Sequence, residues 1–241
     1  MEFRKDINAL RALAIVGVLL FHFDKNLLAG GFSGVDVFFA ISGFLMTKII
    51  FTGIERNNFS VIRFYAARCK RIIPALFFLS VFIIVFGWFF IAPIEYRRIS
   101  EHVISSLLFV SNITYWSESS YFASDSSGKW LLHTWSLSVE WQFYLIYPLI
   151  VLASAKAFGV KKSRVVMLAI AIISLITSVY MAKTWPTSAF YLLPSRAWEM
   201  LAGGLVYLFP LSIKKRHARS AHYAGLLIIV LSALLNKSNF C

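Results

Sequence analysis

Arg11 and His22 stand eleven residues apart in LRALAIVGVLLFHF, a stretch that is otherwise apolar. On a helix that separation is three turns with about 20° left over, so both side chains lie on one face, roughly 16 Å apart along the axis. A guanidinium suits an anion and an imidazole suits proton transfer. Asp36 falls near the start of the next apolar stretch, at a depth similar to that of His22. A carboxylate beside an imidazole holds its tautomer and stabilises its protonated form, which is the arrangement of a general base. A purely structural ion pair uses the same two residues, and Glu140 carries the same two meanings. Arg196 and Glu199 are spaced i, i+3 and can pair along one helix face, as a substrate site or as a pair that lets the helix insert.

Arg63, Arg68, Lys70 and Arg71 form a basic cluster. Arg68 and Arg71 project from adjacent turns, and planar guanidinium forks fit phosphates. Attraction to anionic lipid, or plain topology, is the alternative. Ser42, Ser136 and Ser138 lie in no nucleophile elbow or triad spacing. Cys69 and Cys241 supply neither a disulfide framework nor metal-ligand spacing.

The elements that position these groups are set by composition. Apolar residues make up 59% of the 241-residue chain and charged residues 15%, with 23 Phe. Mean hydropathy is +0.73. Soluble domains hold about 45–50% apolar and about 25% charged residues, so the chain is an all-α, polytopic membrane bundle. An ionisable group inside a span costs about 2.5–3.5 kcal/mol on insertion scales, so each one calls for a reason. Seven stretches are long and apolar enough to be candidate spans: 7–23, 31–52, 72–94, 141–155, 165–182, 196–213 and 221–235. With the N-terminus inside, 16 of the 24 Lys and Arg residues fall in cytoplasmic segments. That bias supports the N-inside orientation and explains the +13 net charge without nucleic acid. The N-terminal stretch lacks a small-residue cleavage site and reads as a retained span. Residues 58–72 have the spacing of a helix lying on the cytoplasmic surface. Residues 95–132 form the longest outer loop, with a short amphipathic helix near Val103 and Leu107 and an irregular polar stretch over 117–127.

Five segments resemble the acyltransferase-3 family of membrane proteins. FRKDINALRALAIVGVLLFHF is similar to the family's Arg-x10-His signature. GGFSGVDVFFAISGFLMT, RFYAARCKRIIPAL, HTWSLSVEWQFYLIYP and LLPSRAWEMLAGGL resemble its second-helix, Arg-x-x-Arg, fourth-helix and later Arg/Glu motifs, in family order. Ala67 stands where many members have a further Arg. The resemblance implies one acyltransferase domain over 1–241, C-terminally incomplete relative to a family that has more spans. It implies transfer of an acyl group, usually acetyl from cytoplasmic acetyl-CoA, to an extracytoplasmic or lipid-linked glycan such as O-antigen or exopolysaccharide. It places the protein, multi-pass, in the bacterial inner membrane, in contact with lipid.

On this reading His22, Asp36 and Glu140 serve catalysis. Arg11, Arg68 and Arg71 hold acetyl-CoA, Arg196 and Glu199 contact substrate, and no metal is involved. A transporter or flippase for a glycan or anionic substrate is the competing expectation, and an inactive remnant is a third.

Overall fold

A computed structural model describes residues 5–23, 30–121, 129–210, 220, 223–229 and 231–232. Every regular element among them is helical. The helices are α1 (Lys5–Phe23), α2 (Gly34–Glu55), α3 (Val61–Phe90), α4 (Pro93–Leu107), α5 (Ser111–Tyr121), α6 (Thr134–Thr184), α7 (Pro186–Tyr191) and α8 (Leu193–Leu208), with a 3₁₀ turn at Gly31–Ser33 leading into α2. Four segments are long and apolar enough to cross a membrane: Asp6–Phe23, Gly31–Glu55, Val61–Phe90 and Thr134–Thr184. Phe77, Phe78, Phe82, Phe89 and Phe90 of α3, and Ile172, Ile173 and Ile176 of α6, are exposed. Such a coat suits hydrocarbon and not water.

The expected spans map onto these elements with three differences. The surface helix expected over 58–72 and the span over 72–94 are one helix. Ser60 caps α3 by accepting from the Arg63 backbone N–H at 3.4 Å, and Pro74 lies within it. A proline inside a helix removes the one donor that the Lys70 carbonyl would receive, a loss that membrane helices tolerate. The spans expected over 141–155 and 165–182 fall on two helices that meet without a loop: α6, 51 residues in all, is kinked at Gly159, whose φ of 82° and ψ of 158° are non-helical. The span expected over 196–213 is represented by α8, of 16 residues, and its last three residues lie outside the described ones. Much of 221–235 lies outside them too.

The long loop expected over 95–132 carries two helices. Pro93 opens α4 at the position where its missing N–H costs least. The α4 end closes by a Schellman pattern, Val110 N to Ser105 O at 2.9 Å and Phe109 N to Ser106 O at 3.1 Å, with Phe109 in the left-handed region at φ 56°. Residues 117–121, expected to be irregular, continue α5; 122–128 lie outside the described residues. Ile99 and Val103 of α4 pack with Ile83 and Leu131 into a buried apolar cluster.

The chain divides into two compact units, one of Met1–Thr47 with Glu199–Cys241 and one of Lys48–Trp198. In the first, α2 and α8 cross at contact distance. A Cβ on Gly43 would lie 1.7 Å from the Met200 carbonyl oxygen, and one on Gly203 would lie 1.8 Å from that of Ala40. Small residues such as these let membrane helices approach backbone to backbone. In the second unit α3, α4, α5, α6 and α7 pack together.

Candidate functional site

In the first unit the imidazole of His22 is tied to its own helix. Its Nδ1 lies 2.7 Å from the Val18 carbonyl oxygen. A carbonyl only accepts, so Nδ1 carries a proton. The orienting acceptor at Nδ1 is therefore a backbone group of α1. Phe21, buried, meets the His22 ring edge-on at 5.1 Å and the Phe32 ring at 5.8 Å. The start of α2 lies against this part of α1. A Cβ on Gly31 would meet the Gly17 carbonyl and Phe21, and one on Gly34 would meet the Ala14 carbonyl and Val18. Asp36 is half-buried in the first turn of α2, where a carboxylate is also favoured by the helix dipole. Arg11 is half-buried on α1 and Glu199 is buried on α8. The first unit thus holds Arg11, His22, Asp36 and Glu199.

The second unit holds Arg68, Arg71, Glu140 and Arg196. Arg68 is half-buried, its guanidinium 5.9 Å from the Phe64 ring centre, while Arg63, Lys70 and Arg71 are exposed. The α3 turn that carries Arg68 is fixed by Tyr65, whose hydroxyl donates to the Leu145 carbonyl of α6 at 2.7 Å. Glu140 accepts a short hydrogen bond from the Tyr144 hydroxyl, one turn on. The Arg196 guanidinium lies 5.0 Å from the Phe190 ring centre and 5.6 Å from that of Trp135. Its Nε donates to the Phe190 carbonyl at 3.0 Å. Stacking leaves such a fork charged and oriented.

Sequence reasoning missed the polar interior beside these groups. His102, buried on α4, donates from Nε2 to Glu118 of α5 at 2.6 Å, and Lys129 donates to the other Glu118 oxygen at 2.8 Å. Burial pushes the Glu118 carboxyl up, but hydrogen bonds from Lys129 and His102 outweigh it and hold the group below its ordinary value. Burial, reinforced by the Glu118 charge, pushes the Tyr115 phenol well up. Hydroxyls form a chain: Ser106 to Thr134 at 2.7 Å, Thr134 to Ser111 at 3.0 Å, and Ser111 to Ser138 at 2.8 Å. Ser138, one of the serines singled out above, is thus paired with hydroxyls, and Ser136 donates to the His133 carbonyl. Both bonds are of the packing kind. The signal available in sequence was the run of Ser, Asn and Thr over 105–114, too polar for a span and too regular for a loop. No group of three metal-ligating side chains is assembled among the described residues.

These features define a polytopic helical membrane protein with His22, Asp36 and Glu199 in one unit and a hydroxyl-lined interior in the other. The chain belongs to the acyltransferase-domain family, whose model matches residues 4–236. It is 33% identical over 212 residues to peptidoglycan O-acetyltransferase OatA of Listeria monocytogenes, covering 85% of this chain and 34% of that protein. It is 34% identical over 172 residues to O-acetyltransferase OatA of Staphylococcus aureus, covering 71% and 28%. To the protein named "Putative membrane-bound transacylase BcsY" of Komagataeibacter xylinus it is 32% identical over 230 residues, covering 95% and 58%. The chain therefore spans about a third of the length of the two O-acetyltransferases. No solved structure matches it.

Proposed function

We propose that the protein transfers an acyl group, acetyl from acetyl-CoA, to a hydroxyl of a cell-envelope glycan at a bacterial inner membrane. The observation that carries this reading is the imidazole of His22 in an otherwise apolar helix, its ring oriented by the Nδ1–H bond to the Val18 carbonyl at 2.7 Å. His22 Nε2 takes the proton of the acceptor hydroxyl as its oxygen attacks the thioester carbonyl carbon. The tetrahedral adduct then loses CoA as its C–S bond breaks, and the proton passes from His22 to the leaving sulfur. Asp36 favours the imidazolium formed in between. In the second unit, Arg68 and Arg71 hold the phosphates of the donor, and Arg196 and Glu140 serve the acceptor and the carbonyl.

The relatives' names favour an envelope glycan, peptidoglycan among them, over lipopolysaccharide. A lipid-linked glycan presents the same hydroxyl chemistry. The test is ester-linked acetate released by mild base from the envelope glycans of cells producing the full chain or its His22→Gln variant. Acetate present with the native chain and lost with an equally abundant variant supports the reading. Equal acetate in both overturns it.

A further inference from the structure

We propose that α5 positions Arg196 for the transfer reaction, with Asn112 and Trp116 as positioning residues; this rests on the reading of Arg196 as an acceptor-binding group. Asn112 and Trp116 are spaced i, i+4 and share one face of α5. The Trp116 indole N–H donates to Ser188 Oγ at 2.8 Å, and Asn112 Nδ2 donates to the Tyr191 carbonyl at 3.1 Å. Both acceptors belong to α7, a helix of six residues. A helix that short has no stability of its own, and its placement comes from its neighbours. Between those two acceptors lies Phe190, which gives Arg196 both a ring face and a carbonyl. The chain of contacts from α5 to the guanidinium is thus complete, each link within hydrogen-bond or stacking distance.

α5 is itself anchored on other sides. Gln142 donates to Asn112 Oδ1 at 2.8 Å and to the Phe109 carbonyl at 3.0 Å. Those bonds fix the Asn112 amide so that its N–H faces α7. Glu118 ties the far end of α5 to His102 and Lys129. Ser195 adds a second tie, donating to the Ala189 and Leu192 carbonyls at 2.9 and 2.8 Å. Arg196 is thus presented at one height and one angle, and the Trp116 N–H is the link that can be removed while its ring is nearly preserved.

The test uses the full chain in proteoliposomes, with acetyl-CoA as donor and penta-N-acetylchitopentaose as acceptor probe. Trp116→Phe and Ser188→Ala should each raise acceptor KM by roughly 2–10-fold, the scale of one neutral hydrogen bond. Donor KM should not change, and Ser188→Thr, which keeps the hydroxyl, should behave as the native protein. In an Arg196→Lys background Trp116→Phe should add nothing, since both act through one group. Hydrogen exchange over residues 186–196 should be faster in Trp116→Phe without any acceptor present. Additive effects of Trp116→Phe and Arg196→Lys, or equal changes in both KM values, would overturn the positioning role. If Arg196→Lys leaves acceptor KM unchanged, the reading of Arg196 fails. The exchange result then decides on its own, and native-like exchange over 186–196 in Trp116→Phe overturns the coupling.

Discussion

The Tyr65 hydroxyl donates to the Leu145 carbonyl oxygen at 2.7 Å, joining α3 to α6 across 80 residues of sequence. Pro148 follows three residues later in α6 and has no N–H to give the Tyr144 carbonyl, so this turn of the helix is short of donors. The Tyr65 bond falls on the neighbouring carbonyl, that of Leu145, and ties this turn to α3. It also fixes the α3 turn that precedes Arg68, so the donor reading proposed for Arg68 makes Tyr65 a support for it as well as a packing residue.

Tyr65→Phe keeps the ring and removes the bond. A neutral hydrogen bond contributes about 0.5–1.5 kcal/mol net, so acetyl-CoA affinity should fall roughly 2–10-fold. Isothermal titration in detergent measures it. Native affinity in Tyr65→Phe would show that Arg68 is held without it.

The base role proposed for His22 has a kinetic test, because general-base assistance is worth about 10²–10⁴-fold. His22→Gln should lower kcat by that order with donor affinity retained, as read from acetyl-CoA turnover in proteoliposomes. A variant within threefold of native kcat would remove His22 from the base role.

Much of this architecture was legible because membrane insertion is a composition rule. An apolar stretch near 20 residues with few charges defines α1, α2 and α3 whatever their neighbours do. Arg11, His22 and Asp36 were visible because charge in a span is costly. The remainder depended on tertiary context. The surface helix over 58–72 and the span over 72–94 looked like two elements and are one, with Pro74 in its interior; a proline stops a helix in water more readily than in a bundle. Gly159 joins two expected spans by a break of one residue, where the basic residues around it suggested a loop. The α4–α5 pair was hidden because His102, Glu118 and Lys129 are unremarkable as surface residues and form a buried set only once the helices pack.

The α2–α8 crossing sets a steric test. Gly203→Ala drives a methyl to 1.8 Å from the Ala40 carbonyl oxygen. Overpacking of this kind costs about 1–3 kcal/mol or more. Gly225→Ala, where a Cβ meets nothing within 4 Å, should be neutral or slightly stabilising, since Gly in a helix costs roughly 0.5–1 kcal/mol relative to Ala. Thermal unfolding in detergent should separate the two variants by several degrees. Equal melting points would mean that the helices shift apart freely at that crossing.

The Glu118 clamp gives α5 a pH dependence. Its carboxyl is held below the ordinary 4.5 by Lys129 and His102 despite burial. A depressed carboxyl contributes stability that is present above the ordinary value and is lost as pH falls through the lower folded one. Exchange over residues 111–119 should therefore be slow at neutral pH and speed up, beyond the intrinsic pH trend, on acidification below the ordinary carboxylate range. Glu118→Gln should exchange faster at neutral pH and lack the acid transition. An acid transition preserved in Glu118→Gln would assign it to another group.

Arg68 and Arg71 decide between phosphate recognition and simple topology. Arg68 is half-buried against Phe64 and Arg71 is exposed one turn on, so the two should differ. Charged hydrogen bonds contribute about 1.5–3 kcal/mol each, and loss of one should weaken acetyl-CoA binding roughly 10–150-fold. Arg68→Lys should fare little better than Arg68→Ala, because an ammonium reproduces neither the planar fork nor the stack on Phe64. Arg71→Lys should recover part of the affinity, since an exposed point charge still attracts phosphate. If the cluster only orients the chain, with its N-terminus inside, both Lys variants will bind acetyl-CoA as the native protein does. Reporter fusions near residues 60 and 120 give the companion measurement, expected inside and outside respectively. Native affinity in all four variants would leave these arginines as positive charges holding topology, and donor recognition would have to reside elsewhere in the chain.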